Sequence, residues 1–197
     1  LGREPEYYRF LADGALDSYR GFGADDPYRF YYRRAVMGAI RALDYLCSRP
    51  DVDSSRIGIA GGSQGGALSL LTAGLDSRIK AVVASVPAMC DHTGRFFGRP
   101  SGWPNIFQYA ERERTARTCG YFDAALNAGF ITAPTLIAVG FIDPHCCPTT
   151  VFAAYNSLKG PKEIDCHPWY AHATPQGWFD RSVDWLAARL GAVEGGR

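Results

Sequence analysis

The chain has 197 residues, 47% of them hydrophobic, enough for one domain with a packed core. Its formal net charge is +1 and it holds no basic block, which argues against nucleic acid or an anionic membrane surface as a partner. No apolar run approaches the roughly 20 residues of a membrane span, no signal-peptide pattern opens the chain, and its six irregularly spaced cysteines suit the reduced thiols of a cytoplasmic protein.

Residues 1–27 are aromatic, charged and Gly-rich with little periodicity, and they read as largely irregular. The chain opens at Leu1 rather than at a methionine, so its true start is expected upstream. Asp25 and Asp26 suit the positive end of a helix, Pro27 suits a first turn and Pro50 lies beyond the end, which predicts a helix from about Tyr28 to Ser48. Val36, Ala39, Ile40, Leu43 and Leu46 would form its apolar stripe.

Ile57, Gly58, Ile59 and Ala60 make a short apolar run of the kind a buried parallel strand needs. Ala67, Leu68, Leu70, Leu71 and Ala73 then recur at helical spacing. Between the two stands Gly61-Gly62-Ser63-Gln64-Gly65, the G-x-S-x-G pattern of a nucleophile elbow. A turn that sharp forces its central residue into a strained backbone conformation, so the flanking positions must lack a clashing Cβ. A plain glycine-rich loop between strand and helix fits the pentapeptide as well. A phosphate cradle does not, because neither G-x-x-x-x-G-K-[ST] nor G-x-G-x-x-G stands at this junction.

Further strands are predicted at 79–86, 133–140 and 162–166, with a helix at 149–158. Residues 87–130 are rich in Gly, Pro, Arg and aromatics and should wander over the top of the sheet before a helix. The segment 175–190 closes the pattern as a helix whose stripe is Phe179, Val183, Leu186 and Leu190. Strands alternating with helices predict an α/β fold, one parallel sheet flanked by helices within a single domain over 1–197.

Chemistry in such sheets sits at the carboxyl ends of strands. Ser63 follows the first strand, Asp143 follows 133–140 and His172 follows 162–166, in the order Ser…Asp…His of α/β-hydrolases. Singly, each has an ordinary role: an Asp after a strand caps a turn, and a loop His is solvated. Together, at the right strand ends, they point to nucleophilic catalysis. His145-Cys146-Cys147 with Cys166-His167 could ligate zinc, but the spacings of structural zinc sites are missing, so no metal site is expected. Trp103, Phe107, Trp169 and Tyr170 could line an acyl or sugar site, or simply pack.

The stretches "YYRRAVMGAIRALDYL", "VDSSRIGIAGGSQGGALSL", "DSRIKAVVASVPAMCD", "PTLIAVGFIDPHCCPTTVFAAYNSLKGPKEI" and "YAHATP" resemble the acetyl xylan esterases that include cephalosporin C deacetylases, within the α/β-hydrolase fold. The resemblance implies Ser63 as nucleophile, His172 as base, Asp143 as its orienting acid and the Gln64 backbone N–H as one oxyanion donor. It implies a serine esterase that removes acetyl groups from xylan oligosaccharides and small acetyl esters such as cephalosporin C, with no metal or organic cofactor, assembled as a homo-hexamer. The chain departs from the family at Gly38, where Asp is usual, at Ala171-His172-Ala173, where Gly-His-Glu is usual, and at Cys146-Cys147-Pro148, where Cys-Pro-Pro is usual. It also resembles only the C-terminal part of such an enzyme, without the N-terminal strands and the loop that gives the second oxyanion donor. Two other readings stand beside it: a serine peptidase of the prolyl-oligopeptidase type, and a catalytically weak, truncated hydrolase module.

Overall fold

The computed structural model describes residues 5–14, 19–109 and 111–191. Its frame is a parallel sheet of four strands in the order β1 (Ile57–Gly62), β2 (Ile79–Ser85), β3 (Thr135–Gly140) and β4 (Lys162–His167). Each predicted strand is present, with ends moved by a residue or two. The middle strands β2 and β3 are almost wholly buried, as strands covered on both faces must be. Alternation along them divides the core. Val82, Ala84, Ile137 and Val139 join the main cluster on one face, while Val83, Leu136 and Ala138 meet Trp178, Trp185 and Leu186 on the other.

Strands that are sequential and neighbouring, joined by right-handed crossovers, place every connecting helix on the same side. Helix α3 (Gln64–Leu75) packs on β1 and β2, α4 (Arg112–Tyr121) leads into α5 (Ala124–Asn127), and α5 packs on α3 and on α6 (Pro148–Ser157). Helix α2 (Tyr31–Ser48) lies outside α3, and α7 (Trp178–Leu190) covers β1 and β2 from the opposite face. No helix among the described residues is long and apolar enough to cross a membrane.

The two outer strands differ. β4 carries Lys162, Glu163 and Asp165, charges that keep an exposed edge from pairing further. β1 reads IGIAGG, with no charge at all, although it pairs only with β2 among the described residues.

Four expectations need correction. The segment 1–27 is not wholly irregular: α1 spans Pro5–Asp13 and a 3-10 turn covers Tyr19–Gly21. Helix α2 begins at Tyr31, not Tyr28, because Asp26 spends its side chain on the Tyr28 N–H at 2.8 Å and its carbonyl on Arg29 and Phe30. Its buried face is Tyr32, Val36 and Leu43, leaving Leu46 exposed. On α7 the buried side chains are Trp178 and Ser182, whereas Phe179 and Val183 are 75% and 48% exposed beside β1. The periodic stripe is real, but a residue at the helix start, Trp178, fills the space over β2 and β3 first.

Residues 87–130 do cross the top of the sheet, and they are tightly tied. Val86, Met89 and Asp91 all have positive φ, an expensive conformation for side-chain-bearing residues. The buried Asp123 holds this stretch, accepting N–H groups from Asp91 and His92 as well as capping α5 through Ala125 and Leu126.

Candidate active site

Ser63 sits between β1 and α3 with φ 52° and ψ −118°. That strain is held by the backbone: the Ser63 N–H donates to Ser85 O at 2.9 Å, and Ser63 O accepts from Ala67 and Ala88 N–H at 3.0 Å. The glycines around it have unequal duties. A Cβ at Gly61 would strike the backbone of Gly65, and one at Gly66 would press the Ser85 carbonyl at 3.1 Å. Gly65 has open space around its own Cβ position. The turn therefore needs glycine two places before the serine and three places after it, while the glycine that completes the motif, Gly65, is free to change.

Asp143 lies just past β3, its side chain wholly buried. Its Oδ1 accepts the backbone N–H groups of His145 at 2.8 Å and Cys146 at 2.9 Å, which fixes the carboxylate plane. Its Oδ2 faces His172 Nδ1 at 2.8 Å, and His172 Nε2 faces Ser63 Oγ at 2.9 Å. The three residues singled out by chain order thus meet as one hydrogen-bonded relay. With a carboxylate on Nδ1, the proton belongs there, leaving Nε2 to accept from the serine hydroxyl. Gln64 opens α3, so its N–H is one of the first-turn donors with no acceptor inside the helix.

The histidine arrives on a loop that leans against the end of β3. Phe141 N–H donates to His167 O, Ile142 N–H to Tyr170 O, and Ala173 N–H to Ala171 O. Gly140 makes the approach possible, since a Cβ there would lie 2.5 Å from the Tyr170 carbonyl and 2.6 Å from that of Ala171. Sequence reasoning passed over this glycine, although it ends a strand directly before the predicted acid. His145 was likewise seen only as a possible metal ligand. Its ring stands edge-on to that of His172, centroids 5.3 Å apart.

The zinc arrangement considered from sequence does not form. Cys166 and His167 stay on β4, where His167 Nε2 faces Asp165 at 3.3 Å. Instead Cys146 is buried behind the relay, and burial, then the charge of Asp143, pushes its thiol up to about 12. Of the aromatics, Trp103 and Phe107 pack on the core, Trp103 against Tyr32 and Phe107 against Phe96. Trp169 is 86% exposed, and Tyr170 meets His167 edge-to-face.

A parallel sheet with a strained serine elbow and an acid and a histidine at two further strand ends defines a hydrolase of the α/β type. Comparison with known proteins narrows this. The family model for acetyl xylan esterase (AXE1) matches residues 13–189, and the chain belongs to that family. The acetyl esterase Axe7A of Xylanibacter ruminicola is 39% identical over 181 residues, covering 89% of this chain and 41% of the relative. The acetyl xylan esterase structure from Paenibacillus sp. R4 is 39% identical with a TM-score of 0.77, covering 85% of this chain and 56% of the other. That of acetyl xylan esterase 1 from Thermoanaerobacterium sp. is 29% identical with a TM-score of 0.72, covering 83% and 55%. The chain spans less than three-fifths of each of these relatives.

Proposed function

We propose that this chain carries the catalytic relay of a serine esterase that removes acetyl groups from acetylated xylan oligosaccharides and related small acetyl esters. The observation that carries the reading is the pair of hydrogen bonds, 2.9 Å and 2.8 Å, that join Ser63, His172 and Asp143. Ser63 Oγ attacks the acetyl carbonyl while His172 Nε2 takes its proton. The imidazolium then gives that proton to the departing sugar oxygen. Water, activated by the same nitrogen, releases acetate and restores the serine. Asp143 keeps the imidazole in its working tautomer and stabilises its charged form without taking the proton. The Gln64 N–H supplies one donor to the oxyanion, and a second donor is required for full turnover, since one missing donor costs ~10²–10³ in rate.

The chemistry needs no metal or organic cofactor. We read residues 1–197 as one portion of an α/β-hydrolase domain, completed upstream by further strands, and the whole protein as a homo-oligomer, a hexamer by family likeness. Six unpaired thiols suit a reducing, cytoplasmic setting.

Fluorophosphonate labelling tests the core of the reading. An activated serine reacts at Ser63 alone and a dead module does not. Aryl esters from acetate to octanoate, acetylated xylo-oligosaccharides and a proline peptide substrate then assign the class. Acetyl esters should be hydrolysed fastest. Preference for the proline peptide would replace the esterase with a peptidase, and a maximum at octanoate would replace it with a lipase-like enzyme.

A further inference from the structure

The proposed reaction uses three side chains, and a fourth group with strong chemistry lies against them unused. Cys146 is fully buried, its backbone N–H is bound to Asp143 and its thiol lies beside the Ser63 hydroxyl. A carboxylate oxygen of Asp143, the sulfur of Cys146 and a ring nitrogen of His172 all lie within 4.8 Å of one another. Among the described residues no other three Cys, His, Asp or Glu side chains gather in this way.

Thiolate, imidazole and carboxylate are the donors that a zinc ion takes. Tetrahedral bonds of about 2.0–2.3 Å set ligand atoms roughly 3.3–3.8 Å apart, so a bound cation parts the hydrogen-bonded Asp143–His172 pair, 2.8 Å apart, by roughly 0.5–1 Å. We propose that Asp143, Cys146 and His172 form an inhibitory site for a thiophilic divalent cation, zinc or its softer homologue cadmium. The cation replaces two protons, that of the thiol, which leaves to solvent, and that of His172 Nδ1, which passes to Nε2, and a water completes the shell.

Two of the ligands belong to the relay, so cation and chemistry exclude each other. With His172 engaged, Ser63 has no base. The thiol explains why the cation would be a soft one: carboxylate and imidazole alone serve magnesium or manganese poorly or weakly, whereas a thiolate selects zinc and its neighbours. Without the cation the buried thiol stays protonated and takes no part. The inhibitory consequence rests on the esterase reading; the binding itself does not.

The experiment starts from a protein with Cys47, Cys147 and Cys166, the thiols that are not fully buried, changed to serine. Cadmium is titrated in and the ultraviolet charge-transfer band of the cadmium–thiolate bond is read. One equivalent should bind, reverse with a chelator and vanish when Cys146→Ala is added. A second readout uses the unaltered chain: cadmium at ten times its Kd should slow fluorophosphonate labelling of Ser63 about tenfold, by simple competition. A band that survives Cys146→Ala in a folded protein, or labelling indifferent to cadmium at saturation, overturns the site. If Cys146→Ala does not fold, the labelling rate of the unaltered chain decides. If the unaltered chain is not labelled at all, the esterase reading falls, and the cadmium band with its dependence on His172→Ala still decides the site.

Discussion

The elbow around Ser63 and the loop that carries His172 meet at one hydrogen bond of 2.9 Å, yet the chain fixes them by different means. The elbow is held by backbone: strand β1 runs straight into it, helix α3 runs out of it, and Ser63 exchanges main-chain hydrogen bonds with Ser85 and Ala88 beyond β2. The histidine loop has exposed residues on both sides of His172, and its ring is aimed by a side-chain bond to a buried carboxylate. One arm stores strain in a rigid scaffold. The other borrows its precision from Asp143 and from the close packing permitted by Gly140. The proposed esterase asks its nucleophile to be exposed by strain and its base to turn and pass a proton, and the two kinds of support suit those tasks.

The comparison is sharpest where the relay is cut. Ser63→Ala should lower the rate on aryl acetates by up to about 10⁶-fold with an unchanged melting curve, and adding His172→Ala should cost little more, since members of the relay act as a unit. Retention of wild-type rates by Ser63→Ala would end the assignment. Asp143→Asn tests the aiming of the second arm alone. It should cost up to about 10⁴-fold through the wrong tautomer while fluorophosphonate-accessible Ser63 stays in place. A loss under tenfold would show that the loop itself aims the ring.

Two glycine substitutions separate the arms by geometry. Gly140→Ala must move the carbonyls of Tyr170 and Ala171, and a displacement of about 1 Å in the base should cost ~10²-fold in kcat with little change in KM. Gly61→Ala must move the Gly65 backbone, so it should combine a similar loss with about 1–3 kcal/mol of lost stability, because that backbone leads directly into the buried turn of α3 at Gly66 and Ala67. Gly65→Ala, with open space at its Cβ, should leave activity within a few-fold and raise stability by about 0.5–1 kcal/mol. Were Gly65→Ala as harmful as Gly61→Ala, the steric account of the motif would be wrong.

The smallest effect concerns the loop that braces the elbow. Burial holds the His92 imidazole below its ordinary value of 6.5, against the raising influence of Asp123. The unfolded chain therefore takes up this proton before the folded one does. Stability should be level above the ordinary value and decline as the pH falls below it. Denaturant midpoints measured across that range check the slope, and His92→Gln should flatten it. A midpoint that rises on acidification would reverse the sign.

Much of this was legible in the residues. Apolar runs marked every strand, and the order of Ser63, Asp143 and His172 after three of them named the relay, because strand ends are where a parallel sheet gathers its chemistry. What escaped depends on contacts across the chain. Gly140 looks like any strand end until the Tyr170 carbonyl is seen above it. Cys146 looks like half of a cysteine pair until its sulfur is found beside Ser63, which follows a different strand. The α7 stripe misled because periodicity fixes which residues share a face and not which face finds cover: Phe179 and Val183 lie beside β1, while Trp178 reaches the core.

The Ser63–His172 bond of the relay spans 109 residues of sequence, and its His172–Asp143 bond spans 29. Every strand between them is parallel, so each must wait for a crossover to close before it can pair. Local helices form early in such a chain, and they say nothing about the site. The Ser63–His172 bond can form only after β1, β2, β3 and β4 have all found their register, which makes the assembled relay the last feature the chain acquires as it folds and the first it gives up as its outer strands fray.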